Sequence, residues 1–211
     1  MSMDESEPGA EPADRLSSED FKAELVALIP HLRAFARSLC GNAAEADDLA
    51  QDAMLKAWKA RDSFEPGTNI RAWGFTILRN LFYSEKRRSW RRQPLEPETA
   101  EATLVAADDP SIGLEILAVR NALGRLPDDQ REALILVGAG ELTYEEAAEV
   151  CDCAIGTVKS RVSRARRRLL ELLAENGHGF NDDSDIRAED AVDDIMGQAA
   201  ALAGGRVVGG R

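Results

Sequence analysis

From Ser17 onward the apolar residues fall at helical spacing. Phe21, Leu25, Leu28, Leu32, Phe35 and Leu39 recur every three or four positions, which predicts an amphipathic helix. Ser17, with Asp20 three residues later, suits its N-terminal cap. Pro30 sits inside the pattern and predicts a kink or break there, because proline cannot donate to the helical ladder. Gly41-Asn42 ends the run. A second helix is expected from about Ala44 to Arg61, with Leu49, Ala53 and Trp58 as its apolar stripe. The loop Ser63 to Asn69 follows, with Pro66-Gly67 as its turn signal. A third helix is expected from Ile70 to Trp90, with Trp73, Ile77, Leu81 and Phe82 facing the core.

The period then lapses. Residues 93–111 combine three prolines with acids and small residues, and read as a flexible linker. Helical spacing resumes from Ile112 to Arg125. Pro127, at a first-turn position, opens another helix to about Val137, and Gly138 to Gly140 stops it. Thr143 with Glu146 forms a capping box for a short helix through Val150. A turn over Cys151 to Ala154 leads to a last helix, Ile155 to about Glu175. No two-residue alternation appears anywhere, so the expected class is all-α: two small helical domains joined by a flexible linker. The expected boundaries are 1–17 (disordered, acidic), 18–92, 93–111, 112–175 and 176–211 (mostly disordered, with a weak helix at most over Ile186 to Leu202).

Charge sharpens this division. The 211-residue chain has a net charge of -12, which taken whole argues against a nucleic-acid partner. The two ends hold most of the excess acid. Residues 71–92, by contrast, carry seven bases and one acid, and residues 155–170 carry six bases and no acid. Two basic stripes separated by an acidic belt point to a polyanion partner. Three cysteines, Cys40, Cys151 and Cys153, form no disulfide framework. No signal peptide or membrane-spanning run is present, so a reducing cytoplasm is the expected location.

Three constellations carry candidate chemistry. The first is Thr143 to Arg168, two short helices joined by a tight turn, which describes a helix-turn-helix. Val158, Val162, Ala165 and Leu169 should face the core, leaving Lys159, Ser160, Ser163, Arg164 and Arg167 together on the outer face. A helix entering the major groove needs such long donors and small polar groups. Thr157, at the helix start, is placed to meet a phosphate through its hydroxyl and the free N–H groups there. Asp152 occupies the turn position where many such units have Gly, and Asp tolerates the left-handed conformation better than most residues.

The second is the acidic face of the helix from Glu45 to Trp58, with Asp48, Gln51 and Asp52 beside Leu49. The third is Trp73 to Arg92, where aromatics interleave with bases. Stacking surfaces with cations suit an opened nucleic-acid strand. Trp73 and Phe82 are nonetheless expected to be core. Cys151-x-Cys153 has no further ligands nearby for zinc, and the two cysteines are expected to be small buried residues at the turn. No nucleophile–base pair and no phosphate-cradling Gly loop is legible, so neither catalysis nor a cofactor or metal is expected.

Tyr-Glu-Glu-Ala-Ala-Glu-Val and Gly-Thr-Val-Lys-Ser-Arg-Val-Ser-Arg-Ala-Arg, with Leu126-Pro-Asp-Asp-Gln-Arg before them, resemble region 4 of extracytoplasmic-function (ECF) sigma factors of the sigma-70 family. Asp48-Leu-Ala-Gln51 resembles their region 2.2, and Trp73 to Arg92 resembles regions 2.3 and 2.4. Glu132-Ala-Leu-Ile-Leu-Val-Gly-Ala and the Cys-x-Cys phrase resemble the EcfG-type general stress response subgroup of alphaproteobacteria. The resemblance implies that Thr157, Lys159, Ser160, Ser163, Arg164 and Arg167 contact the upstream (−35) promoter element. It implies that Asn69, Arg79, Asn80, Tyr83, Lys86 and Arg87 open and read the downstream (−10) element, with Asn80 in a flipped-base pocket lined by Pro66 to Asn69. It assigns Asp48, Leu49, Gln51 and Asp52 to docking on RNA polymerase. The implied partners are core RNA polymerase (the clamp coiled coil of the largest subunit and the flap of the second largest), promoter DNA, and a small NepR-type anti-sigma protein released by a PhyR-type response regulator. Two other readings are a sigma mimic that sequesters an anti-sigma factor, which would not need the basic face at Lys159 to Arg168, and a stand-alone helix-turn-helix repressor, which would leave residues 45–92 idle.

Overall fold

The structure is a computed structural model and describes residues 17–40, 42–92 and 114–175. The expectations for the linker and for both tails lie outside these residues. Eight α-helices and one 3₁₀ turn make up the described chain, with no strand among the described residues.

Helix α1 (Ser18–Ala27) is capped by Ser17, whose hydroxyl oxygen accepts from the Asp20 N–H at 3.1 Å. The chain breaks at Leu28 and restarts as α2 (Ile29–Leu39), with Pro30 in the first turn, where its missing N–H costs nothing. Helix α3 (Ala43–Lys59) is capped by Asn42, which accepts from the Glu45 N–H at 2.8 Å. A 3₁₀ turn (Arg61–Ser63) leads into the loop before α4 (Ile70–Arg92). Gly67 in that loop has φ +85°, so the turn needs glycine there. Phe21 gathers Trp58, Phe64 and Trp73 around it, with ring centroids 5.7–6.4 Å away. This aromatic knot holds α1, α3 and α4 to the loop.

The second half contains α5 (Leu114–Gly124), α6 (Asp128–Val137), α7 (Tyr144–Cys151) and α8 (Ile155–Glu175). The Thr143–Glu146 capping box forms as expected: the Thr143 N–H donates to Glu146 at 2.8 Å, and the Glu146 N–H donates to Thr143 Oγ1 at 3.1 Å. Asp152 adopts the left-handed conformation, φ 52° and ψ 52°, and turns the chain from α7 into α8. Val158, Val162, Ala165 and Leu169 are all buried, as their spacing predicts.

The two halves share one core. Helix α4 packs on α2 and α3 and also on α7, while α6 packs on α2 as well as on α7 and α8. The apolar side of α4 therefore differs from the expectation. Phe75 and Leu78 are its most buried large side chains, whereas Trp73, Ile77, Leu81 and Phe82 are only partly buried. The reason is two-sided packing. Phe75 stacks edge-on against Phe35 of α2 at 5.0 Å, and it also lies where a Cβ at Gly140, between α6 and α7, would stand 3.1 Å from its ring.

Candidate nucleic-acid and partner interface

The exposed face of α8 follows from its sequence pattern. Because every third or fourth residue of α8 is buried, Lys159, Ser160, Ser163, Arg164 and Arg167 are left exposed on one side, with Thr157 half-buried at their N-terminal end. Arg164 folds back along the helix, its Nε donating to the Ser160 carbonyl and its terminal nitrogen to Ser160 Oγ, both at 3.1 Å. Lys159 Nζ lies 5.6 Å from the centre of the Tyr144 ring. The remaining bases are tied down: Arg161 pairs with Asp129 at 3.0 Å and Arg168 with Glu171 at 2.9 Å. One detail differs from the expectation. The Thr157 N–H already donates to the Ala154 carbonyl at 2.8 Å, so of Thr157 itself only the hydroxyl is left for a phosphate.

On α3, Asp48, Gln51 and Asp52 are exposed along one side. Leu49 does not belong with them. It is 4% exposed and part of the core, because one residue along a helix is a turn of about 100°. The apolar member of this stripe is Leu55, one turn on from Gln51 and Asp52 and 58% exposed. The spacing 48, 51, 52, 55 was available in the sequence, and it is the signal that identifies Leu55.

The residues assigned to the downstream element divide. Asn80 and Arg87 are exposed on α4. Asn69, Arg79, Tyr83 and Lys86 instead meet side chains from the second half of the chain. Asn69 Nδ2 donates to Glu146 at 2.8 Å. Arg79 Nε donates to Glu132 at 2.7 Å, and the Tyr83 hydroxyl reaches the same carboxylate at 3.3 Å. Lys86 Nζ lies 3.4 Å from Asp128. Arg71 pairs with Glu141, which is itself held at φ 55°. Ten residues of helix separate Ile70 from Asn80, about 15 Å along the axis, and the Asn69 side chain is turned toward Glu146.

The electrostatics follow from burial. Glu132 is 1% exposed, and burial pushes its carboxyl above the usual range against the opposing pull of Arg79 and Tyr83. Burial, with the Glu132 charge beside it, pushes the Tyr83 phenol up to about 12. Hydrogen bonding and charge from Arg71 hold Glu141 below the usual carboxylate range. A further link runs the other way. Arg131 of α6 is buried and donates to the Ser38 carbonyl of α2 at 2.7 Å, to the Leu126 carbonyl at 3.1 Å and to Asp128 at 2.7 Å. No local pattern announces Arg71 or the four carboxylates opposite α4, apart from the oddity of Glu132 inside an apolar run.

Cys151 is buried and Cys153 half-buried, as small turn residues, and burial pushes the Cys151 thiol up to about 12. Among the described residues no group of three or more His, Cys, Asp or Glu could hold a metal ion. No helix among them is long and apolar enough to cross a membrane.

A helix-turn-helix with an exposed basic face, preceded by a helical half bearing an aromatic-basic helix and an exposed acidic stripe, agrees with a promoter-specificity factor of the sigma-70 class. The comparisons with known proteins agree. Residues 25–92 match the sigma-70 region 2 family, and residues 116–169 match sigma-70 region 4. The ECF RNA polymerase sigma factor EcfG of Rhodopseudomonas palustris is 48% identical over 172 residues, covering 81% of this chain and 95% of the relative. The sigma factor RpoE of Bartonella quintana, solved in complex with the anti-sigma factor NepR, superposes with a TM-score of 0.64 at 49% identity, covering 74% of this chain and 98% of that one. CnrH, solved with the cytosolic domain of CnrY, gives a TM-score of 0.56 at 28% identity, over 76% of this chain and 91% of that one. The chain belongs to the ECF sigma factors of the sigma-70 family.

Proposed function

We propose that this chain directs RNA polymerase to stress-response promoters in the cytoplasm, with no catalytic role of its own. Residues 18–92 act as region 2 and residues 112–175 as region 4. Lys159, Ser160, Ser163, Arg164 and Arg167, with the Thr157 hydroxyl, read and grip the upstream element. Asn80 and Arg87, joined by Asn69, Arg79, Tyr83 and Lys86 once these are released, capture the downstream element. Asp48, Gln51 and Asp52, with Leu55 in place of Leu49, dock on the polymerase clamp. The observation that supports this best is the exposed basic side of α8, built over a fully buried opposite side. A sigma mimic that never meets DNA has no use for such a face.

Since the RpoE of Bartonella quintana is held by NepR, we extend a small anti-sigma partner of that type to this chain, released by a PhyR-type regulator. The test is run-off transcription with purified core polymerase on a promoter carrying a GGAAC-like upstream and a GTT-like downstream element. A transcript requiring this protein and both elements is expected. Tight capture of a small anti-sigma protein with neither polymerase binding nor transcript would overturn the proposal in favour of the mimic.

A further inference from the structure

A glycine inside a helix weakens it, so the position needs a reason for having no side chain. Other glycines of the chain find theirs within the fold. Gly67 has φ +85°. A Cβ at Gly74 would stand 2.5 Å from Leu28 Cδ2, and a Cβ at Gly140 would stand 2.5 Å from the Leu136 carbonyl oxygen. Gly156, in the first turn of α8, has no such reason. Its φ is not left-handed, and a Cβ there would meet nothing within 4 Å. Backbone and packing would both accept alanine, which forms helix better, yet the residue is glycine.

Its place on α8 supplies a reason from outside the fold. At about 100° per residue, Gly156 points within about 20° of Ser163 and Arg167 and about 40° from Ser160. Lys159 lies about 60° to one side and Arg164 about 80° to the other. All of them are exposed. Gly156 is therefore the middle of the outer face, at the end of the helix whose residues meet base edges in a helix-turn-helix complex. Around it stand short side chains, Ser160 and Ser163, which reach a base only if the backbone comes close. Arg164 and Arg167 are long and tolerate a wider gap. A bare Cα is what close approach of a backbone to another molecule requires.

We infer that Gly156 is the point of closest approach between α8 and the upstream-element duplex, and that its missing side chain sets how deep the helix sits in the groove. This rests on the reading of α8 as the upstream-element helix. Gly156 is then a specificity-determining position without a side chain of its own: it decides whether Ser160 and Ser163 reach base edges. A methyl group added there should cost sequence discrimination more than overall attraction to DNA, because phosphate contacts by long cations survive a small retreat of the helix.

The test is Gly156→Ala in the full-length chain. Thermal melting is measured on the free protein. Promoter binding is measured on its holoenzyme with core polymerase, using two duplexes that differ only in an intact or a scrambled upstream element. The variant should melt no lower than wild type, because alanine is the better helix former. Its affinity for the intact promoter should fall roughly five- to hundredfold, the worth of one lost base contact, while binding to the scrambled promoter changes little. Equal discrimination by wild type and variant would overturn the inference and leave the upstream reading of α8 intact. Equal losses on both promoters with a lowered melting temperature would make Gly156 a structural residue and overturn it likewise. A wild-type holoenzyme indifferent to the upstream element would overturn both.

Discussion

Leu49 and Leu55 make opposite predictions although six residues of one helix separate them. Leu49 is 4% exposed in the core of region 2. Truncating it to Ala removes buried methyl groups and leaves a cavity, which costs about 2–5 kcal/mol. At roughly 2–4 °C per kcal/mol for a protein of this size, the melting temperature should fall by about 4–20 °C. Leu55 is 58% exposed. Its truncation should change stability by less than about 0.5 kcal/mol, and Ala gives nothing away in helix propensity. Its effect should appear on docking. Complete burial of a Leu side chain is worth about 1.5–3 kcal/mol, and a little over half of that surface is still available to a partner. Leu55→Ala should therefore weaken polymerase binding by about 1–2 kcal/mol, roughly five- to thirtyfold. Thermal denaturation and titration of labelled protein with core polymerase separate the two terms. A Leu49→Ala protein that melts like wild type, or a Leu55→Ala protein with unchanged polymerase affinity, would refute the argument.

Other outcomes follow from the same geometry. Arg164→Ala should weaken upstream-element binding by about 1–3 kcal/mol if Arg164 reads a base, checked by titrating matched and mismatched duplexes; unchanged selectivity would remove it from the base contacts. Asn80→Ala, at an exposed position, should impair promoter opening in a permanganate footprint while holoenzyme assembly proceeds; lost assembly would mean a structural role. Arg131→Ala should lower stability by about 3 kcal/mol or more in a denaturant melt, since it strands the buried Ser38 and Leu126 carbonyls. In a Tyr144→Phe background Tyr83 is the only phenol of the chain, and absorbance titration should show it ionising at about 12. Its folded-state value is raised, so its contribution to stability is complete below the ordinary value near 10 and is lost as pH rises toward 12. Ionisation near 10 would mean that Tyr83 is not buried beside Glu132.

What the sequence discloses here depends on how local the cause is. Helix ends were legible because caps are local: Ser17, Thr143 with Glu146, Pro30 and Asp152 each act within four residues. The exposed basic face of α8 was legible because α8 buries one side only. Helix α4 misled because a single-stripe reading assumes a single buried side, and α4 lies between two layers. Leu49 misled for a different reason. A motif read as a string places neighbours together, whereas a helix turns them about 100° apart. The pairing of Arg79, Arg71 and Asn69 with carboxylates spans 53, 70 and 77 residues of sequence, and nothing short-range encodes such a meeting.

The seam between α4 and the second half of the chain has a consequence for ionic strength. Its outer pairs, Lys86 with Asp128 and Arg71 with Glu141, lie at the solvent, whereas Glu132 beneath Arg79 is 1% exposed. Salt screens charges that face water far more than buried ones. Rising salt should therefore weaken the rim of the seam and leave its centre in place, so that amide hydrogen exchange quickens around Glu141 and Lys86 before it does around Arg79.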